Sequence, residues 1–304
     1  MNDQSIVAKI KKLKKAHNAV ILAHNYQVKE VQEIADFRGD SLGLSRKASA
    51  TDAEVIVFCG VHFMAETAAI LAPEKTVLIP DPEAGCPMAD MITPEDLRAV
   101  RAEHPGAVVV TYVNSSAAVK AETDICCTSA NAVEVVESIP PGREIIFTPD
   151  KFLGAYVMRK TGRRLILYPG YCPVHRKLLP EDIEKQKALH PRAVIMVHPE
   201  CTPEVIDRAD EVLSTSGMER FVRASDADEF IVGTEVDMIT RLHGDNPNRR
   251  FFPASDLVVC PNMKKITLEK VLWSLEEMRF EVTVSEEIRR RALTAVEAMV
   301  SMGK

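Results

Sequence analysis

The sequence predicts an α/β protein: three pseudo-threefold-related α/β/α units with parallel, Rossmann-like sheets. Two observations carry that expectation. Apolar β-branched runs alternate with amphipathic stretches along the whole chain, which is the pattern of parallel strands covered by helices on both faces. The alternation also repeats. AVILAHNY from Ala19, AVVVTYVN from Ala107 and AVIMVHPE from Ala193 are versions of one block, 88 and 86 residues apart.

The elements follow in order. Ahead of each block lies a helix-like stretch: IVAKIKKLKKAH, PEDLRAVRAEH and PEDIEKQKALH. The last two open with proline and two acids, a strong helix start. A second strand is predicted at EVIVFCG from Glu54, EIIFTPD from Glu144 and EFIVGTE from Glu229. A third is predicted at TVLIPD from Thr76, RLILYPG from Arg164 and DLVVCPN from Asp256. Amphipathic FMAETAAIL, FLGAYVMRK and VDMITRLHG fall between them. The expected division is 1–90, 91–176 and 177–262 for the three repeats. Residues 263–304 form a helical tail (TLEKVLWSLEEM and SEEIRRRALTAVEAMVSM) packing on the first repeat. No low-complexity linker intervenes, so one tightly packed body is expected.

Composition narrows the class. Hydrophobic residues at 46% and charged residues at 27% are ordinary for a globular protein with a full core. A net charge of −6 offers no basic field for nucleic acid or an anionic membrane, so neither is expected as a partner. The basic N-terminal stretch interleaves lysines with its apolar residues and lacks the apolar segment of a signal peptide. No apolar run reaches the roughly 18 residues of a membrane span. A cytoplasmic location is the expectation. In a reducing compartment the seven cysteines are not a disulfide framework. Each is by default a buried apolar thiol.

The repeat singles out three of them. Cys86-Pro87, Cys172-Pro173 and Cys260-Pro261 are spaced by 86 and 88 residues, follow the third strands, and are the only cysteines before proline. Three thiolates brought together by symmetry point to a metal centre. Structural zinc takes four protein ligands, often in closely spaced pairs, and no such pair exists here. A 4Fe-4S cluster usually takes four cysteines. Three would leave one iron open to act on a substrate as a Lewis acid. His175, in CPVH, is the competing fourth ligand.

Polar residues line up as well. At the end of the first strands His24, Tyr112 and His198 correspond, and two residues on come Tyr26, Asn114 and Glu200. In open parallel sheets functional groups collect at such strand ends. IADFRGDS, KAETDICCTS and DRADEVLSTS align on Asp36, Asp124 and Asp210, which places Ser41, Ser129 and Thr215 at matched positions. Hydroxyls there either cap a helix or, as a set around one cavity, bind an anion. His17, His104 and His190 recur at helix ends just before the A-V of the first strands and are read as structural. His243 is read as a loop residue. Of the adjacent Cys126 and Cys127, at most one is expected to face the cavity. Cys59 and Cys201 are read as core.

Together AHNYQ (23–27), GDSL (39–42), CGVHFMAETA (59–68), TYVNSSAAVKAETD (111–124), CTSANA (127–132), PGYCPVH (169–175), VHPEC (197–201), STSGM (214–218) and CPNMK (260–264) resemble the quinolinate synthase family over nearly the whole chain. The resemblance implies three α/β/α domains around a central 4Fe-4S cluster, one per chain, held by Cys86, Cys172 and Cys260. It implies condensation of iminoaspartate with dihydroxyacetone phosphate to quinolinate, with loss of phosphate and water, in NAD biosynthesis. It places His24, Tyr26, Ser41, Tyr112, Asn114, Ser129, His198, Glu200 and Thr215 in the active site. Glu200 is the expected general acid/base, helped by His198 and Tyr26. The hydroxyl and amide groups hold carboxylates and phosphate, and His24 suits either task. An L-aspartate oxidase or dehydrogenase is the partner that such a reaction implies as supplier of iminoaspartate. Some members carry a C-terminal C-x-x-C-x-x-C segment. Here no cysteine follows Cys260, so no such redox switch is expected. Three rivals compete: a different hydro-lyase using an open iron, an iron–sulfur sensor or carrier, and a metal-free α/β protein with three buried cysteines, against which the Cys-Pro triplet at the repeat spacing weighs. The protic residues around the thiols weigh against the second.

Overall fold

The structure is a computed structural model that describes residues 3–302. The outer ends of the first repeat and of the tail, residues 1, 2, 303 and 304, lie outside the described residues. Eight elements run in strict αβ alternation and then repeat twice. The first set is α1 (Asp3–Ala16), β1 (Ala19–His24), α2 (Lys29–Ile34), β2 (Phe37–Gly39), α3 (Ser41–Ala50), β3 (Val55–Cys59), α4 (His62–Leu71) and β4 (Thr76–Leu78). The second is α5 (Pro94–Glu103), β5 (Val108–Tyr112), α6 (Ala117–Lys120), β6 (Ile125–Cys127), α7 (Ala132–Ser138), β7 (Ile145–Thr148), α8 (Lys151–Thr161) and β8 (Ile166–Leu167). The third is α9 (Pro180–Leu189), β9 (Val194–Val197), α10 (Pro203–Ile206), β10 (Glu211–Val212), α11 (Thr215–Ala224), β11 (Glu229–Gly233), α12 (Met238–Asp245) and β12 (Arg250–Pro253). Then come α13 (Leu268–Glu277) and α14 (Glu286–Ser301).

Each set forms a four-stranded parallel sheet of one order: β2-β1-β3-β4, β6-β5-β7-β8 and β10-β9-β11-β12. The expected α/β architecture with three repeated parallel sheets is therefore present. The central strands explain the apolar blocks. β3 and β11 are buried along their whole length, because helices cover both faces. The proline-led helices start where expected. At α5, Thr93 and Asp96 form a capping box, which satisfies two orphan N–H groups at the helix start.

The aligned aspartates have one structural task. Asp36, Asp124 and Asp210 each accept, at 2.8 Å through Oδ2, the N–H of a residue in the neighbouring first strand: Ile21, Val109 and Ile195. Their own N–H groups return to the carbonyls of those residues. That pairing steers the short strands β2, β6 and β10, which the sequence does not announce. At two or three residues they are too short to carry a period.

Three sequence expectations change. DLVVCPN is not a strand, and RFFP takes its place as β12, with Phe230 opposite Phe251 and Ile231 opposite Phe252. Both runs are short and apolar, and only the pairing with β11 separates them. The Cys-Pro pairs accordingly do not follow a strand directly but sit in loops beyond β4, β8 and β12. The second strands also align one residue differently. Val20 pairs with Ile56, Val108 with Ile145 and Val194 with Phe230, so Val55, Glu144 and Glu229 correspond, not Glu54. A one-residue slip would turn every side chain to the opposite face. His243 lies within α12, not in a loop.

The tail closes the assembly. α13 packs on α1, and α14 lies across α3 and α4 as well as α6 and β6. Between them the chain pairs antiparallel with β4: the N–H of Val282 donates to the carbonyl of Val77 at 2.8 Å.

Close approach at Gly170 fixes the loop that carries Cys172. Gly170 bridges to Asp150, and a Cβ there would lie 2.5 Å from the Pro149 carbonyl oxygen. A backbone atom cannot give way as a side chain can. Gly170→Ala is expected to destabilise the fold by about 1–3 kcal/mol, read from the urea midpoint. An unchanged midpoint would show that this loop is looser than its packing indicates.

Candidate active site

The C-terminal ends of the three sheets face one cavity of about 190 Å³. All of the site residues expected from the repeat line it. His24, Tyr26 and Ser41 come from the first set, and Tyr112, Asn114 and Ser129 from the second. His198, Glu200 and Thr215 come from the third, and Cys86, Cys172 and Cys260 from the three loops. Cys126 and Cys127 are both fully buried and neither lines it. Cys59 and Cys201 are buried in the core. No helix among the described residues is long and apolar enough to cross a membrane.

The three cysteines share one local structure. Each is followed by a single 3-10 turn, Ala89–Met91, His175–Lys177 or Met263–Lys265. Each accepts at its own carbonyl the N–H four residues on, from Asp90, Arg176 or Lys264. N–H groups of Met88 and Ala89, of His175, and of Asn262 and Met263 hydrogen-bond to the three sulfurs. Burial pushes the Cys86 thiol up to about 12 and raises Cys172 and Cys260 as well. Three half-buried thiols of this kind ionise only against a cation.

Ser41, Ser129 and Thr215 are not the helix caps. Asp40 caps α3 and Ser214 caps α11, accepting from the N–H of Gly43 and Gly217. Ser41 and Thr215 are the first helical residues, so their hydroxyls are not spent on capping.

His24 and His198 form a matched pair. Each Nδ1 accepts a backbone N–H two residues on, from Tyr26 at 3.2 Å and from Glu200 at 3.3 Å. The proton then sits on Nε2 in both rings. His198 Nε2 donates to Ser129 Oγ at 3.1 Å. Burial pulls both histidines down to about 3, so they are neutral around pH 7.

That depression has a measurable consequence. The unfolded histidine, near 6.5, binds protons that the folded one refuses down to about 3. Stability is therefore full above pH 6.5 and is lost as pH falls toward 3. His198→Gln removes this dependence. Its unfolding free energy is expected to fall less steeply than wild type between pH 6 and 4.5, by about 1.4 kcal/mol per pH unit. Equal slopes in urea titrations would mean that the ring takes a proton in the folded state.

Glu200 is the hub. It is 3% exposed. The Tyr112 hydroxyl donates to its Oε1 at 2.6 Å, and its Oε2 lies 2.6 Å from His175 Nδ1. Burial opposes its charge, but His175, His198 and Tyr112 outweigh burial and hold the carboxyl well below its usual range. From His175 the line continues: Nε2 lies 2.8 Å from Thr234 Oγ1, which lies 2.5 Å from the Tyr26 hydroxyl. A continuous hydrogen-bonded path thus runs Tyr112–Glu200–His175–Thr234–Tyr26. Burial and Glu200 raise both tyrosines well above their ordinary value, so they remain protonated donors.

His175 and Thr234 are the members that sequence reading did not place in this path. His175 was legible only as a possible metal ligand. Thr234 follows the C-terminal end of β11 and has Pro149 at the matched position of the second set, so no shared polar residue marked it. The His175 Nδ1 also lies 3.2 Å from Cys172 Sγ. Ligand atoms of Cys172, His175 and Glu200 lie within 4.8 Å of one another, close enough to hold a metal ion. Two further carboxylates stand at matched positions after the second strands, and of these Glu235 lines the cavity. Glu235 pairs with Lys264 at 2.7 Å. Asp150 is raised well above its usual range by burial and then by Glu200.

Comparison with known proteins finds matches along nearly the whole chain. The family profile described as Quinolinate synthetase A protein matches residues 8–301. A quinolinate synthase of Dehalococcoides mccartyi is 58% identical over 302 residues, covering 99% of this chain and 100% of that protein. Quinolinate synthase 2 of Methanosarcina acetivorans is 56% identical over 302 residues, covering 99% of this chain and 97% of that protein. A quinolinate synthase of Thermus thermophilus is 54% identical over 312 residues, covering 100% of this chain and 99% of that protein.

Proposed function

This chain belongs to the quinolinate synthase family, and from that premise we propose that it condenses iminoaspartate with dihydroxyacetone phosphate to form quinolinate, phosphate and water. The observation that carries the reading is the convergence of Cys86, Cys172 and Cys260 with the Glu200 path in one cavity. The proposed division of labour follows the three repeats, 1–90, 91–176 and 177–262, each giving one thiol and a share of the polar groups, with the tail 263–304 closing onto the first and, through α14, onto the second as well.

The donor set fits a 4Fe-4S cluster. Three thiols come from three loops of equal shape, each facing N–H groups that favour sulfur anions. When bound, the cluster supplies one iron without a protein thiolate, a Lewis acid for substrate oxygen or nitrogen. The remaining work falls to side chains. Glu200, ionised and buried, accepts the proton that iminoaspartate loses at the carbon that forms the new bond. It returns protons to departing hydroxyls. The path from Tyr26 through Thr234 and His175 points its protons toward Glu200, so the carboxylate is served without bulk water. His24 donates from Nε2 to a carbonyl or carboxylate oxygen, His198 holds Ser129 as a donor through Nε2, Tyr112 holds the charge of Glu200, and Ser41, Ser129, Asn114 and Thr215 hold carboxylates and phosphate. Burial of these groups keeps water from the hydrolysable imine. Iminoaspartate must be delivered by an enzyme that oxidises aspartate, an L-aspartate oxidase or dehydrogenase.

The test is an anaerobic assay that follows both products. Quinolinate and phosphate released in equal amounts support the reading. Phosphate-free dehydration of a small carboxylic acid would point to the rival hydro-lyase. The proximity of His175 to Cys172 favours a second view of the metal, in which His175 is a ligand. Both ring nitrogens of His175 are engaged by Glu200 and Thr234, so His175→Ala is expected to keep full iron content. Loss of iron in that variant would make His175 the fourth ligand.

A further inference from the structure

We propose that Asn25, Glu219 and Arg241 form a positioning chain that makes Thr215 a hydrogen-bond donor toward the cavity, so that this corner selects an anionic oxygen. The identity of that anion, a phosphate or a carboxylate of the substrates, rests on the functional reading above. The chain itself rests on geometry.

Asn25 lies in the AHNYQ segment just after β1 and is fully buried. Its Nδ2 donates to Glu219 Oε1 at 2.8 Å and to Thr215 Oγ1 at 3.0 Å, both on α11 of the third set. The orientation of an asparagine amide is normally an assignment. Here chemistry decides it, because the Glu219 carboxylate has no proton to give and must face the NH2 end. The charge of Glu219 is secured by Arg241, whose Nη2 donates to Oε2 at 2.9 Å. Arg241 in turn reaches Asp245 at 3.1 Å, and Asp245 lies 3.7 Å from Arg38 of the first set.

The consequence falls on Thr215. With Nδ2 committed, Thr215 Oγ1 is obliged to accept, and its own proton has no acceptor among the described residues. Thr215 lines the cavity, so that proton is available to a ligand. The amide leaves its own Oδ1 buried without a partner. Ser129 is set in the same way, accepting from His198 Nε2 and keeping its proton for the cavity. Two hydroxyls from different sets therefore meet the ligand as donors, which suits oxygens that can only accept.

Calorimetric titration of the anaerobic holoprotein with inorganic phosphate and with malonate tests this. In Asn25→Asp an oxygen replaces the NH2 group, and Thr215 turns its proton toward it. At least one probe is expected to bind about tenfold more weakly or worse, and that probe identifies the anion. In a Thr215→Val background, Asn25→Asp is expected to change nothing further. Should the new carboxylate beside Glu219 impair folding, the double variant Asn25→Asp/Glu219→Gln relieves the like-charge contact. It is expected to regain the melting temperature without regaining affinity. Affinity within about twofold of wild type in Asn25→Asp overturns the proposal. So does an additive loss in the Thr215→Val background, or a wild type that binds neither probe. A wild type that binds a probe yet forms no quinolinate tells against the functional reading alone.

Discussion

Glu200→Gln is expected to lower quinolinate formation by about 10²- to 10⁴-fold with iron and sulfide content unchanged. Glutamine keeps the size of the side chain and an oxygen for the Tyr112 hydroxyl. It cannot take a proton. Its NH2 group would also face the Nδ1–H of His175 across a gap that is now 2.6 Å. Two donors cannot share that gap, so the His175 proton must leave Nδ1 or the ring must move. Either change breaks the path to Thr234 and Tyr26. Steady-state rates on anaerobic protein check the expectation, with iron assayed on the same sample. A fully active variant with an intact cluster would remove Glu200 as the base.

Tyr112→Phe is the companion measurement. It deletes the hydrogen bond that helps keep Glu200 charged, so the carboxyl should move up. The pH at which activity is lost on the acid side should move up with it. An unmoved acid limb would mean that Glu200 is not the group that titrates.

Cys86→Ala is expected to abolish cluster binding. Wild type prepared without oxygen should hold about four iron and four sulfide per chain, and the variant close to none. The reason lies in the architecture. Each of the three loops contributes one sulfur, and two sulfurs from two loops leave half of the irons without an anchor. Cys59→Ala is the control. Cys59 ends β3 inside the core, away from the cavity. It should keep its iron and lose only a little stability. Iron retained in Cys86→Ala, or lost in Cys59→Ala, would place the metal elsewhere.

Much of this protein was written along the chain. The repeat of strand blocks at 88 and 86 residues implied three α/β units, and three such sheets are present. Because strand ends recur with the repeat, aligning them was enough to collect His24, Tyr26, Tyr112, Asn114, His198 and Glu200 before any contact was known. The Cys-Pro triplet came from the same register. These features are local: each depends on a residue's place within its own strand or loop. Tertiary structure decided the rest. Pairing with β11 chose RFFP over DLVVC as a strand, and packing between the sheets brought Thr234 against Tyr26 and His175. The path from Glu200 to Tyr26 joins His175 to Thr234 across 59 residues and Thr234 to Tyr26 across 208. The link from Asn25 to Thr215 spans 190. No period along the chain encodes such pairs. They exist because three sheets present their C-terminal edges to one point, and the packing between the sheets decides which hydrogen-bonding groups meet there.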